Sequence, residues 1–490
     1  MNRRHPAAAP AALPGLAAAV TIAVAATTGA AGSGCADGGP TPRAGAPVVI
    51  VDQPSPVVAA AGVAPPVTLE DPAGALAPLY RALGAAERGD DGARVAIVQF
   101  GDSHTAGDRL TGELRAVLQQ RFGDAGRGFL LTGRPKIRHY DIVDARYGTD
   151  GAWTSDQGGR HGTEEPYGLG GVRSYAKKKS AVAWVGTCAD CPTGQAVSRF
   201  EIFLWRQPGG GTLEARVDDG PWTRISTALA GDQGDVAIPD YEVIEVPDGD
   251  HRLSLRPRGD KEVDVFGVAL ERARPGVVVD GLGIVGLQMS HLWRWDWTVI
   301  GPQLAHRAPA LVVLQYGTNE VDDSDLDLDT FVARYTELIG RIRSAAPDAA
   351  ILMLGPPDMA TRLLGRRCDK PAKKQTKSRH GRRKAPPPAP VGPAAEPPEG
   401  CRWKTPTQLL DIIDAERRVA RATGVAFFDS FAAMGGADLI DGWVHAEPAL
   451  AYKDHVHFTT RGYTWWADLL LEDLMRGYAA WQKESAAARR

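Results

Sequence analysis

Apolar residues along this chain fall into short runs that stop abruptly at turn residues. The run Val95 to Val98, followed by Gln99 and Phe100, ends at Gly101-Asp102-Ser103-His104 and predicts a buried parallel strand. Helical spacing then predicts a helix from Thr105 to Phe122, and an earlier helix passes through Tyr80 and Leu83. Strand-helix alternation resumes far downstream with GVVVDGLGI, ALVVLQYG, AAILMLGPP and VAFFDS, and helices are predicted at Asp327 to Ala346, Pro406 to Thr423 and Thr460 to Gln482. Such alternation predicts a parallel sheet covered by helices on both faces, with any site at the carboxyl ends of its strands.

Between these stretches the period changes to two. VSRFEIFLWRQ, GTLEARVDD, PWTRIST, YEVIEVPDG, HRLSLRPRG and VDVFGVALE alternate apolar and polar residues between turns such as Asp219-Gly220 and Asp248-Gly249. This predicts an antiparallel sandwich or jelly roll inserted into the α/β core. The expected organisation is a leader over 1–34, an Ala/Pro-rich linker over 35–68, core over 69–135 and 274–485, and the inserted β region over 136–273. A basic, Pro-rich loop at 369–400 interrupts the second core segment.

Candidate chemistry sits where these runs stop. A serine between a strand and a helix has an exposed hydroxyl, as an acyl-transfer nucleophile requires, although Gly-Asp-Ser also makes an ordinary turn. Two later segments agree with the chemical reading: Gly317-Thr318-Asn319-Glu320 after an apolar run, and Asp454-His455-Val456-His457 before a Thr459-Thr460 helix start. In this order the blocks resemble the SGNH (GDSL-type) hydrolase family, with GDSH at Ser103, the glycine of GLGIVGLQ at Gly286, GTNE at Asn319, and DHVH supplying Asp454 and His457. The departures are His104 for leucine and Glu320 for aspartate, and neither removes a reacting group. The resemblance implies a flavodoxin-like three-layer α/β/α core and an acyl-enzyme mechanism without metal or organic cofactor. Ser103 would be the nucleophile, His457 the base and Asp454 its orienting carboxylate, with Asp358 the first substitute for Asp454. Oxyanion donors would be the Ser103 and Gly286 backbone N–H groups and the Asn319 amide. His455 stands one residue from Asp454 and should point elsewhere; His104, His139, His161, His291 and His445 are expected at the surface or behind the reacting groups.

The inserted β region narrows the resemblance to bacterial peptidoglycan O-acetylesterases, in which the insertion resembles a carbohydrate-binding module. Trp153, Trp184, Trp205 and Trp222 are candidates for stacking on sugars, with Trp153, between Gly151 and Ser155, foremost. The expected substrate is therefore an O-acetylated glycan. Acetyl transfer to a sugar, general esterase or lipase activity, and a purely glycan-binding lipoprotein are the alternatives.

The remaining features concern location. Arg3 and Arg4 precede an apolar stretch at Leu16 to Ala26, too short for a membrane span, and small residues lead to Cys35. This reads as a secretory signal with a lipid anchor at Cys35, or as simple secretion with cleavage nearby, and so places the chain in a bacterial periplasm or cell envelope. Of the 5 cysteines, Cys188 with Cys191 and Cys368 with Cys401 form two plausible disulfide pairs in an oxidising compartment. A lone CxxC without a second one or a histidine pair makes a poor zinc site. The net charge of −3 implies no dominant polyanion partner, and a secretory signal argues against nucleic acid. The basic cluster at 366–384 would either adhere to an anionic envelope polymer or be a solvated insertion.

Overall fold

The computed structural model describes residues 68–135, 140–159, 166–230, 235–362 and 402–488. Cys35, Cys368, Cys401, His139, His161, the leader, nearly all of the linker and the basic loop lie outside the described residues.

The core is a six-stranded sheet ordered Leu69–Glu70, Ala426–Phe428, Ala350–Leu354, Leu311–Gln315, Arg94–Gly101 and Gly276–Gly283. All neighbours are parallel except the short Leu69–Glu70 edge, which runs antiparallel to Ala426–Phe428. The middle strands are buried along almost their whole length, which is why they read as unbroken apolar runs rather than alternating ones. One apolar face packs Ala77–Glu87, Arg109–Phe122 and Thr460–Ala488, and the other packs Trp297–Arg307, Leu328–Ala345 and Thr407–Thr423. This is the three-layer arrangement expected of an SGNH hydrolase.

The single helix expected from Thr105 to Phe122 is two, Ser103–Ala106 and Arg109–Phe122. Asp108 breaks it by adopting φ 48°. Its buried carboxylate accepts from Thr111 Oγ1 at 2.6 Å, from Arg115 at 3.0 Å and from Arg127 at 2.5 Å. Asp144 completes a four-membered buried ion network with the same two arginines.

The inserted region forms two antiparallel sheets. The outer one has five strands, ordered Thr223–Ser226, Thr212–Val217, Arg252–Pro257, Val182–Gly186 and Arg146–Asp150. The inner one contains Ile238–Gly249, Val197–Arg206, Val263–Glu271, Val172–Ala176 and Thr154–Gln157, with Gly128–Leu130 also paired to Val263–Glu271. Between them lie Phe200, Ile202, Leu204, Leu213, Ala215, Leu253, Leu255 and Val268. The other face of the inner sheet, with Phe203, Trp205 and Phe266, joins the α/β core against Leu282, Ile284, Leu292, Trp295 and Val299. Arg307 seals the junction, bonding Asp280 through Nε at 2.9 Å and also pairing with Glu271. Cys188 and Cys191 are disulfide-bonded, with Cα atoms 5.3 Å apart.

Candidate active site

Three turns leave the parallel sheet at one level. Gly101 pairs in register with both Gly283 and Gln315, so the turns bearing Ser103, Gly286 and Asn319 open side by side. Two of these strand ends must be glycine. A Cβ on Gly101 would stand 2.3 Å from Thr105 Oγ1, and one on Gly283 would stand 2.2 Å from the Ala106 backbone nitrogen.

Ser103 is held by what lies beneath it. Asp102 is fully buried, and its Oδ1 accepts the His104 backbone N–H at 2.8 Å, capping the Ser103–Ala106 turn. Burial pushes the Asp102 carboxyl up to about 6, although the His104 N–H opposes the rise. Below it, Gln99 Nε2 donates to Thr105 Oγ1 at 2.9 Å, and that hydroxyl donates to Gln315 Oε1 at 3.0 Å. A glutamine two residues before a glycine at the end of each apolar run, Gln99 before Gly101 and Gln315 before Gly317, is the sequence trace of this chain of bonds.

His457 meets Ser103 from the other end of the molecule. Its Nε2 lies 2.8 Å from Ser103 Oγ, and its Nδ1 lies 2.8 Å from Asp454 Oδ2. An ionised carboxylate only accepts, so Nδ1 carries the proton, Nε2 accepts, and the Ser103 hydroxyl donates to it. The hydrogen bond to Asp454 raises His457 above the ordinary imidazole range, with burial opposing it. Burial also works against the Asp454 charge. Even so, the His457 ring and the His457 and Val456 backbone N–H groups hold the carboxyl down, at about 2.

The DHVH turn is built to aim this ring. Asp454 Oδ1 accepts from the Val456 and His457 N–H groups at 3.0 Å each, and His455 takes φ 59°. His455 does point elsewhere: its Nε2 is 2.8 Å from Asp441 Oδ1, and its ring stacks on Trp403 at 3.7 Å. Phe458 is fully buried against His104, Trp443, Tyr463 and Trp466, which anchors the neighbouring His457.

Asn319 opens a short 3-10 turn, Asn319–Asp322, and its side-chain amide donates to Leu287 O at 2.9 Å, directly after Gly286. Gln288 Nε2 returns a bond to Asn319 O at 3.1 Å. Gly286 has φ 78° with open space where a Cβ would stand. Neither the Ser103 nor the Gly286 backbone N–H has a protein acceptor among the described residues.

The other candidates fall into place separately. Asp358 is buried, accepting from Thr405 Oγ1 at 2.7 Å and the Ile440 N–H at 2.9 Å, so it braces a loop and a helix start rather than an imidazole. His291 is buried, and its Nδ1 accepts the Gln288 N–H at 3.1 Å. His445 is exposed and donates to Asp441 O at 2.8 Å. His104 is buried with Nδ1 3.0 Å from Tyr463 Oη, its ring centroid 5.5 Å from that of His457, and burial pushes it down to about 3, so it stays neutral. Trp153 corrects the expectation of sugar stacking: it is 3 % exposed within the sandwich core, with Nε1 donating to Ala181 O at 3.1 Å. A ring closed in on this way has no face to offer. Trp205 is buried as well. Among the described residues no group of three or more His, Cys, Asp or Glu side chains could hold a metal ion.

Residues 256–465 match the family model described as GDSL-like Lipase/Acylhydrolase family, a span that holds Gly286, Asn319, Asp454 and His457 but stops short of Ser103. No curated protein matches the chain in sequence. Among solved structures, a peptidoglycan O-acetylesterase superposes with a TM-score of 0.64 at 24% identity, over 84% of this chain and 99% of its own. A family two carbohydrate esterase from Cellvibrio japonicus is far more distant, with a TM-score of 0.23 at 11% identity over 68% of this chain and 100% of its own. The matched segment, the three-layer fold and the meeting of Ser103 with His457 and Asp454 agree with one another: residues 256–465 resemble the GDSL-like lipase/acylhydrolases, and the chain has the fold of an SGNH hydrolase.

Proposed function

We propose that this chain is a cell-envelope serine esterase that removes O-acetyl groups from peptidoglycan or a related glycan. The observation that carries the reading is the unbroken path from Ser103 Oγ through His457 to Asp454, each step 2.8 Å. The inserted β region and the likeness in fold to a solved peptidoglycan O-acetylesterase support the glycan as substrate.

Ser103 Oγ attacks the acetyl carbonyl while its proton passes to His457 Nε2. The negative oxygen of the tetrahedral intermediate is met by the Ser103 and Gly286 N–H groups and the second Asn319 amide hydrogen, the first being spent on Leu287 O. Collapse breaks the bond to the sugar oxygen, which takes the proton from His457 and leaves as the alcohol. Water then gives a proton to Nε2, adds to the acetyl-serine and releases acetate, and the proton returns to Ser103. Asp454 keeps its negative charge throughout and stabilises the imidazolium formed in each half.

The test is acetate release by the full chain from O-acetylated peptidoglycan and from acetylated xylan. Release should favour peptidoglycan and fall by about 10⁶ in Ser103→Ala and in His457→Ala, by analogy with serine hydrolases. A marked preference for xylan would overturn the envelope substrate. Turnover that survives Ser103→Ala would overturn the mechanism.

A further inference from the structure

We propose that the outward face of the five-stranded sheet is a binding surface for a carboxylate-bearing glycan strand. This rests on the glycan reading above and deepens it, because the surface is separate from the reacting groups. The inner sheet lies between it and the catalytic core.

Strand register builds the face. Ser254 pairs with Trp184 on one side and with Arg216 on the other, and Trp222 directly precedes Thr223, which pairs with Ala215. One row across the strands therefore reads Trp184, Ser254, Arg216, Trp222, and adjacent strands are about 4.8 Å apart, so the two indoles stand roughly 14 Å from one another along a flat path. Opposite Trp184 stands Gly148, where a Cβ would come within 2.4 Å of the indole, so the missing side chain lets that ring lie down on the sheet. Guanidinium groups lie against both rings: Arg252 at 4.5 Å from the Trp184 centroid, Arg256 at 3.8 Å and Arg216 at 4.7 Å from that of Trp222.

Charge decides the ligand. Arg256 and Arg224 share one carboxylate, Glu214, at 2.9 and 3.8 Å, while Arg216 and Arg252 have no acidic partner among the described residues. Four guanidinium groups share this face with Glu214 and with Asp218, whose carboxylate is taken up by His251 and the Arg252 backbone N–H, and like-charge repulsion across a sheet disfavours that excess. Arg216 Nε and Ser254 Oγ are moreover buried without hydrogen-bond partners. A polymer bringing carboxylates to the free arginines and the flat apolar faces of sugar rings to the indoles answers both features. A neutral glycan would leave the arginines unanswered.

The experiment is affinity electrophoresis of the full chain through gels containing polygalacturonate, neutral xylan or single-stranded DNA, with turnover of a small acetate ester measured on the same preparations. Retardation by polygalacturonate alone, weakening with salt, is expected. The double variant Arg216→Gln, Arg252→Gln should bind polygalacturonate at least about tenfold more weakly while small-ester turnover is unchanged. Arg252→Glu, at an exposed side chain that needs no repacking, should weaken binding in the same direction. Equal retardation by xylan, tighter retention by DNA, or unchanged retardation of both variants would each overturn the proposal. Small-ester turnover reports on the Ser103 site alone, so its loss would instead count against the esterase reading.

Discussion

Glu320 Oε1 accepts the Met289 backbone N–H at 2.7 Å while its Oε2 accepts that of Gly317 at 3.0 Å. One buried carboxylate thereby clamps the turn that presents Asn319 to the loop that presents Gly286. Burial pushes this carboxyl up to about 7, with the Met289 N–H opposing the rise. Glu320→Gln turns one acceptor into a donor facing a buried N–H, which should cost about 1–3 kcal/mol of stability. Because the clamp spans both proposed oxyanion donors, kcat on a small acetate ester should fall while KM stays near its original value. Unfolding and steady-state kinetics on one preparation check this, and a stability loss with kcat intact would reduce Glu320 to a strut of the fold.

Asn319 offers a more direct reading of the same hole. With one amide hydrogen on Leu287 O, the other is the side chain's contribution to the anion. Asn319→Ala should lower kcat by about 10²–10³, as loss of a single oxyanion donor does elsewhere. Asn319→Asp should do at least as much harm, since it replaces a donor with a negative charge. Kinetics at fixed pH decide the matter, and a change confined to KM would mean that Asn319 only holds the Gly286 loop in place.

Most of the architecture is legible in the chain because it depends on periodicity. Unbroken apolar runs mark strands buried on both faces, as at Val95 to Val98, and all six alternating segments singled out in the β region form strands. Ser103, Asn319, Asp454 and His457 are legible because each stands where an apolar run stops or just before a helix, the places from which the proposed chemistry needs them to reach. What escapes is anything settled by long-range contact. Asp108 looks like an ordinary helix residue until Arg115 and Arg127 claim its carboxylate and break the helix. Trp153 sits beside Gly151 like a surface ring, yet its side chain packs inside the sandwich, with Nε1 on Ala181 O. Strands such as Arg146–Asp150 and Thr154–Gln157 carry too few apolar residues to declare themselves.

The pH profile follows from the Asp454 bond. As the proposed base, His457 works only when neutral, and Asp454 raises its titration above the ordinary imidazole value of about 6.5. The acid limb of kcat/KM should therefore lie above that value, with activity rising as pH increases through it. Asp454→Asn removes the charge that favours the imidazolium, so the limb should move to lower pH while the plateau falls. A pH series on a small acetate ester shows both. An acid limb unmoved in Asp454→Asn would place the orienting charge elsewhere, and the position of Asp358 under Thr405 and Ile440 makes it a poor replacement.

His104 makes the last prediction, on stability rather than rate. Its ring is buried beside His457, Phe458, Tyr463 and Trp466, and burial lowers its titration to about 3. An unfolded imidazole binds its proton near pH 6.5. Between those two values the unfolded chain therefore holds a proton that the folded chain refuses, so this residue makes stability fall as pH drops from about 6.5 toward about 3. The slope from one such group is at most about 1.4 kcal/mol per pH unit. His104→Gln keeps a polar partner for Tyr463 Oη but cannot titrate, so its denaturation midpoint should decline less steeply over that window than the parent chain's. Denaturant titrations at several pH values on the two proteins measure the difference in slope. Parallel declines would mean that His104 takes up its proton without unfolding, and the packing around the His457 imidazole would then have to open to admit it.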